Sequence, residues 1–239
     1  MGEPIKTTRA GHFSAAIRAE DFAGYVQRLA SDEFEGRKPG TIGERAATTY
    51  LIEQFQTMGL KPGNGDSYLQ DVPAIETTLL DGDKVTLDIA SGGNVEKYKY
   101  RDDAIVGTLQ GKGGVELKDS DLVFAGYGVV APEYQWNDYA GLDVKDKTVV
   151  VLINDPGFGN GDEALFKGNA MTYYGRWTYK FEEAARQGAA ACLIVHDTKG
   201  AGYGWSVVVN SWSGPQFSLP VSEDSAPRLP VAGWLTADA

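Results

Sequence analysis

The chain has 239 residues, with 22 basic and 33 acidic side chains and a formal net charge of −11. This charge repels nucleic acids and anionic membranes, so it argues against both as main partners. Hydrophobic residues make up 42% and charged residues 23%, a globular balance with enough length for one large or two modest domains. No apolar run of the sequence is long enough to span a bilayer.

Two amphipathic helices are predicted near the N-terminus, over 20–30 and from Thr41 to about Met58. The second begins at a capping box, in which the Thr41 hydroxyl and the Glu44 carboxylate stand three residues apart. Gly59 then ends this helix. Their apolar stripes are Phe22, Val26 and Leu29 in the first helix, and Ala47, Leu51, Phe55 and Met58 in the second.

Strands are predicted where β-branched and aromatic residues cluster between turn residues. Outside the central stretch they fall within 68–80, 84–89, 103–109, 205–210 and 229–235. The turns between the early strands are predicted at Asp81-Gly82 and Ser91-Gly92-Gly93.

The central stretch, Asp121 to Val195, contains a predicted βαβ unit. After a first strand over 121–130, apolar runs at 148–153 and 189–195 flank a helical pattern over 176–188. Two such runs joined by a helix favour parallel strands, and the right-handed crossover places the helix on one face of the sheet. The residues expected to cover that face are Trp177, Phe181, Ala184 and Ala185.

The connection over 154–175, between the second strand and the helix, is long and rich in glycine. Structureless links of this length are uncommon in compact domains and are usually functional or mobile. We therefore expect a mobile, lid-like loop, with weak hydrogen-exchange protection across Pro156–Gly161.

The motifs of the central stretch resemble a protease-associated (PA) domain. They are GYG at 126–128, WNDYAGLDVKDK at 136–147 followed by TVVVL, and the run from Arg176 through KFEEAARQGAAACLIVHD. More narrowly, they resemble the PA domain inserted in bacterial M28-type metallo-aminopeptidases. The family usually has Gly where this chain has Asp146, but Asp tolerates left-handed turn geometry better than most residues, so we expect the turn to be kept.

A second segment, LASDEFEGRKPGTIGERAATTYLIEQFQTMGLKPG at 29–63, resembles the N-terminal helical segment of M28 peptidases. The resemblance implies an α+β fold, with a PA-like mixed sheet or sandwich that contains the βαβ unit. It assigns 1–67 to the arm and helical segment of the peptidase domain, and 68–239 to the PA domain. The parent would be a periplasmic or secreted zinc aminopeptidase, and this chain does not show a signal peptide.

This chain is then expected to be the non-catalytic N-terminal and PA portion of that enzyme, truncated before its catalytic core. The parent would remove N-terminal residues from peptides with two zinc ions, while the PA domain shapes substrate access or binds protein partners. The expected partners are the missing catalytic domain and the peptide or protein substrate of the parent.

The chain offers few residues for metal binding or nucleophilic catalysis. Its only histidines are His12 and His196, and a ligand histidine needs partner ligands close by. His196 and Asp197 are adjacent, not spaced as H-x-D, so a structural role is favoured for His196. Cys192, the one cysteine, lies in an apolar run and is expected to be a buried thiol. We assign no catalytic residue, metal ligand or cofactor to this chain.

Polar and aromatic clusters suggest a recognition role. Trp and Tyr anchor many interfaces, but the cluster at 136–139 also suits a folded turn in which Asn137 or Asp138 bonds the backbone two residues on, and we favour the turn. The loop at 35–37 fits the border of a substrate cleft and solvated loop charge equally well. The candidates for substrate access or recognition are Glu35, Arg37, Trp136, Asp138 and Tyr139.

A different hypothesis is a stand-alone PA-type module that binds peptides or glycans. The helices at 20–58 argue against it, because a free PA domain does not need them. Their stripes must be covered, since each fully buried large side chain is worth about 1.5–3 kcal/mol. The two helices could pack on each other, on the PA domain or on a second copy of the chain. We favour the last arrangement, a homodimer through residues 20–58.

Overall fold

The computed structural model describes residues 18–111, 113–222 and 225–239, with only the backbone of residue 83. The chain divides into two compact units, with the boundary between Val72 and Pro73. Within the described ranges, no helix is both long and apolar enough to cross a membrane.

The N-terminal unit contains both predicted helices. Helix α1 spans Ala19–Leu29 and helix α2 spans Ile42–Thr57, with a 3-10 segment at Asp32–Arg37 between them. The predicted cap is confirmed, because the Thr41 hydroxyl accepts a hydrogen bond from the Glu44 amide at 3.4 Å. The Glu44 carboxylate in turn accepts from the amide of Gly40, the residue before the cap, at 2.5 Å.

Phe34 is the buried centre of the N-terminal unit. Its ring lies 5.9 Å from that of Tyr50 on α2, and the Arg28 guanidinium stands 4.9 Å from the Phe34 ring centroid. Gly43 lets α2 approach this segment, because a β-carbon there would collide with the Phe34 carbonyl oxygen. The predicted apolar stripes are less well covered: Phe22 is 68% exposed and Val26 is 48% exposed.

Within the described ranges, the C-terminal unit is built from short strands and three α-helices. Strands β1 to β7 are Ile75–Thr77, Thr86–Ser91, Asn94–Lys99, Ala104–Gly107, Leu122–Phe124, Val130–Ala131 and Trp136–Asn137. The later elements are β8 (Thr148–Leu152), α3 (Trp177–Arg186), β9 (Ala191–His196), α4 (Thr198–Ala201), α5 (Trp205–Trp212), β10 (Gln216–Ser218) and β11 (Val231–Thr236). This mixture of helices and sheets is consistent with the predicted α+β class.

The main sheet has five strands in the spatial order β4-β11-β9-β8-β5. Strands β5, β8, β9 and β11 are parallel, and β4 pairs antiparallel with β11 at one edge. The predicted βαβ unit is therefore confirmed as β8-α3-β9. Two small sheets pair β2 with β3 and β1 with β10, and a two-residue pairing joins β6 with β7.

Apolar side chains of the main sheet alternate between two cores. Val149, Cys192 and Trp234 pack with Phe181 and Ala184 of α3 on one face. On the other face, Ala104, Leu193 and Leu235 pack with side chains from the β2–β3 hairpin. Trp177 was predicted to cover the helix face but is 38% exposed, because it begins the helix and lies at the rim of this core.

Two turn predictions hold in detail. Asp146, where the resembled family usually has Gly, has φ 57° and keeps the left-handed turn before β8. Gly92 and Gly93 both have positive φ and link β2 to β3 as a two-residue hairpin loop.

The predicted strand over 205–210 is wrong, because these residues form helix α5. Its β-branched run favoured a strand, but Trp205, Val208, Val209 and Trp212 recur at helical spacing and pack on the core. Strands β3, β7 and β10 were not predicted. Within 68–80, only Ile75–Thr77 forms a strand.

Candidate functional site

Polar side chains gather where the parallel strands β5, β8 and β9 end. In doubly wound sheets, ligands bind at this edge where the strand order reverses. Among the described parallel strands of this sheet the order never reverses, since β5, β8, β9 and β11 follow one another in sequence and in space. The edge is instead filled by the turn after β5, the turn after β7 and the loop over 154–175.

Asp138 fastens the turn after β7 to the turn after β5. Its carboxylate accepts from the Trp136 indole at 2.8 Å and from the Val129 amide at 3.0 Å, and its own amide donates to the Val129 carbonyl at 2.9 Å. Gly126 has φ 52° and passes close to this carboxylate. Asp138 therefore acts within the chain, as the hydrogen bonds of a folded turn require.

Tyr139 completes the same turn. Its amide donates to the Asn137 side-chain oxygen at 2.9 Å, which is the bond predicted for a turn at this cluster. Its ring is buried in the core below α3, and its hydroxyl has no partner among the described residues. Burial raises the pKa of this phenol far above its ordinary value, so the hydroxyl stays neutral.

Asp155 joins the two ends of the loop over 154–175. We call these ends, residues 154–157 and 172–175, the stem of the loop. Its fully buried carboxylate accepts from the Gly157 amide at 3.1 Å, from the Thr172 amide at 2.9 Å and from the Thr172 hydroxyl at 2.6 Å. The Asn154 amide also donates to the Gly175 carbonyl at 3.1 Å. Both ends of the loop are thus joined by buried hydrogen bonds.

Residues 154–157 are all buried, so this start of the loop is packed, and weak hydrogen-exchange protection across Pro156–Gly161 stays a prediction. Gly157 is required there, because a β-carbon would collide with the Leu165 carbonyl oxygen. Residues 159–164 are exposed, so the freedom that the sequence suggested is confined to the outer part of the loop.

Lys180 of α3 lies beneath this stem and is fully buried. Its ammonium nitrogen donates to the Tyr127 carbonyl oxygen at 2.6 Å. Burial lowers the pKa of Lys180 to about 7, and the nearby Asp155 and Asp138 carboxylates partly oppose this shift. A lysine titrating near neutrality is often functional, but this amine is sealed from substrate.

An aromatic cluster holds the outer part of the loop. Phe166 is fully buried, stacks on Tyr134 at a centroid distance of 4.2 Å and meets the rings of Trp136 and Tyr174 edge-on. The Tyr174 hydroxyl donates to the Glu133 carboxylate at 2.7 Å, a bond that raises the pKa of this phenol to about 12. Phe166 has φ 49°, so its burial offsets the strain of a left-handed backbone.

The loop tip carries an open depression with a volume of about 440 Å³. Its polar walls include the exposed side chains of Glu163, Lys167 and Asn169. Charges of both signs beside exposed glycine backbone can contact a polar partner such as a peptide or a glycan.

His196 and Cys192, both on β9, are buried. The His196 ring nitrogen Nε2 lies 3.0 Å from the Tyr203 carbonyl oxygen, and the imidazole packs among aromatic rings that include Trp234. Burial lowers the pKa of His196 and raises the pKa of the Cys192 thiol to about 12. The other histidine, His12, lies outside the described residues.

Glu35 and Arg37 lie in the N-terminal unit. Both are exposed and left-handed, with φ 45° and 59°, on either side of Gly36. The Arg37 guanidinium donates to the Leu29 carbonyl oxygen, which ties the segment to the end of α1. The Glu35 side chain is exposed to solvent.

Within the described part of the chain, no group of three or more His, Cys, Asp or Glu side chains is arranged to hold a metal ion. The two zinc ions that the resemblance implies for the parent thus do not fit any described cluster of this chain. The side chains of the site hold the loop over 154–175 in shape.

The sequence interpretation missed Asp155, Lys180 and Thr172. Asp155 directly follows the apolar run of β8, a position at the carboxyl end of a predicted parallel strand. Lys180 sits beside Phe181 and Ala184 on the apolar side of the predicted helix, where a charged residue is out of pattern. These two signals could have identified the pair.

Comparison with protein-family models and with curated proteins found no match. Among solved structures, an aminopeptidase from Aneurinibacillus sp. strain AM-1 matches with a TM-score of 0.35 and 18% sequence identity. The match covers 92% of this chain and 39% of the aminopeptidase chain. It is a weak structural similarity to an aminopeptidase, and this chain spans well under half of that protein.

Proposed function

We propose that this chain is the non-catalytic N-terminal and PA portion of a periplasmic or secreted M28-type aminopeptidase. In that enzyme it would shape substrate access or bind protein partners, while the catalytic domain would hold the two zinc ions. One observation carries the non-catalytic assignment. The charged side chains Asp138, Asp155 and Lys180 at the sheet edge all bond groups of this chain, and Asp155 and Lys180 are fully buried.

The family assignment is supported by the way the resembling motifs fit together. The Trp136 indole and the Asp138 carboxylate of WNDYAGLDVKDK bond each other, and Asp138 fixes the GYG turn. In GYG, Gly128 has φ 63° and a β-carbon there would lie 2.7 Å from Val151. The motif residues thus serve one packed arrangement.

Zinc content and peptidase activity test the proposal on the purified chain. After dialysis against zinc, we expect no stoichiometric metal, and we expect background rates on chromogenic amino-acid amides. Near-equimolar zinc that is lost in His196→Phe, or turnover above background, would show that this chain carries its own metal site. The open reading frame beyond Ala239 gives an independent test, because an aminopeptidase must continue with H-x-D-type motifs.

A stand-alone PA-type module for peptides or glycans is the second candidate, and the polar depression at the loop tip favours it. In that case, a peptide or glycan library should yield binders whose affinity falls in Lys167→Ala and Glu163→Gln. Asp119→Asn, an exposed carboxylate outside the depression, is the matched control. Equal binding by all three variants would remove the depression from consideration.

The partner that we propose for the isolated chain is a second copy of itself, bound through residues 20–58. Phe55 and Met58 on α2 are 39% and 37% exposed, and Phe22 on α1 is more exposed still. Apolar faces of this kind promote association. Light scattering should show a dimer for the full chain and a monomer for a version that begins near Tyr68. A strictly monomeric full chain at high concentration, or equal association of both versions, contradicts the proposal.

A further inference from the structure

Lys180 is a buried cation beneath the loop stem, enclosed by several elements. The groups that face its amine are Tyr127 from the turn after β5, Asp138 from the turn after β7, Asp155 from the loop stem and Cys192 from β9. An ammonium has three donors, and among the described residues only the Tyr127 carbonyl oxygen accepts one. The charged form is therefore under-solvated in the closed structure.

The loop stem is the movable part of this enclosure. Pro156 and Gly157 are buried while residues 159–164 are exposed, and the two ends of the loop are joined by the Asp155 hydrogen bonds to Thr172 and by the bond from the Asn154 backbone amide to the Gly175 carbonyl. Helix α3 and strand β9 belong to the packed core and cannot move without unfolding the sheet. Water can therefore reach the amine most easily by separation of the stem.

We propose that Lys180 is a proton-driven latch for the loop over 154–175, in which protonation of its amine favours opening of the stem because the ammonium gains water only there. The latch is a property of this loop and does not depend on the aminopeptidase assignment. It would make access to the aromatic cluster around Phe166 depend on pH near neutrality.

The direction follows from proton linkage. Burial lowers the pKa of Lys180 to about 7 in the closed structure, and burial outweighs the opposing attraction of Asp155. With the stem open, the amine returns toward its ordinary pKa of about 10.4. Between these two values the open form binds more protons, so the opening constant rises up to about tenfold for each unit that the pH falls. Below about pH 7 both forms are protonated and the constant levels off.

Hydrogen exchange of the full chain, followed by mass spectrometry from about pH 6 to about pH 9, measures this constant after correction for intrinsic exchange rates. The Gly157 and Thr172 amides are the probes of stem opening. The Leu193 amide, in the middle of the sheet, is the probe of global unfolding. We expect stem opening to be more frequent than global unfolding and to increase as the pH falls to about 7.

Lys180→Met removes the titrating amine and keeps a long side chain, so the slope with pH should disappear at the stem. Lys199→Met, at an exposed lysine of α4, is the control and should keep the wild-type slope. A stem whose opening constant is flat above pH 7 in the wild type overturns the proposal, and so does a slope that survives in Lys180→Met. If that variant does not fold, the wild-type profile alone decides, through the presence or absence of the break near about pH 7.

Discussion

Asp155→Asn is the most direct test of how the long loop is held. The carboxylate accepts three hydrogen bonds at two oxygens, whereas an amide of the same shape has only one acceptor oxygen. Its NH₂ group must therefore face the donors of Thr172 or the amide of Gly157. Hydrogen bonds to a charged group contribute about 1.5–3 kcal/mol each, and the buried Lys180 loses a compensating charge, so we expect a loss of about 2–4 kcal/mol.

Urea unfolding followed by tryptophan fluorescence measures this loss in the C-terminal unit alone. The sequence has five tryptophans, and all of them follow Pro73. Asp162→Asn is the matched control, since this exposed carboxylate also accepts an amide hydrogen bond, from Ala164 at 2.9 Å. The control should change stability by less than about 0.5 kcal/mol. If Asp155→Asn costs no more than the control, the stem is not held by this carboxylate.

Three further outcomes are expected from the same fluorescence assay. Gly233→Ala should lower the free energy of unfolding by more than about 3 kcal/mol, because a β-carbon would lie 2.5 Å from the Ile105 carbonyl oxygen on the adjacent strand β4. A mild effect would show that β4 can shift. Phe166→Ala should cost about 3–5 kcal/mol and leave β8 and β9 protected in hydrogen exchange, whereas a neutral result would mean that the aromatic cluster does not anchor the loop. Stability should rise with pH above about 7, by up to about 1.4 kcal/mol per unit, because unfolding returns the depressed pKa of Lys180 toward its ordinary value; Lys180→Met should abolish this rise.

The elements with strong local signals were predictable. The cap at Thr41, the two N-terminal helices and the β8-α3-β9 unit follow from spacing and from turn residues, and the structure confirms each of them. The exception is α5, where a run of valines outweighed the helical spacing of Trp205 and Trp212 in the prediction. Such β-branched runs suit either structure, and the packing against the sheet decides between them.

The site was less predictable, because its bonds join residues far apart in sequence. Asp155 and Thr172 lie near opposite ends of the long loop and are 17 residues apart. Lys180 on α3 donates to the Tyr127 carbonyl oxygen, 53 residues earlier in the sequence. No local pattern encodes these partners. The Trp136–Tyr139 turn was easier to anticipate, because the Asn137 bond spans only two residues.

The position of β11 has a consequence for the order in which the protein can be made. Strands β5, β8 and β9 lie side by side in the order in which they leave the ribosome, so each can pair with the one before it. Strand β4 is synthesised earlier than all of them, yet its neighbour in the sheet is β11, the last of the sheet's described strands in sequence. The edge of β4 that pairs with β11 stays unpaired until residue 236 has been synthesised. A chain that stalls before β11 therefore exposes one edge of β4 and one edge of β9, and exposed strand edges favour aggregation.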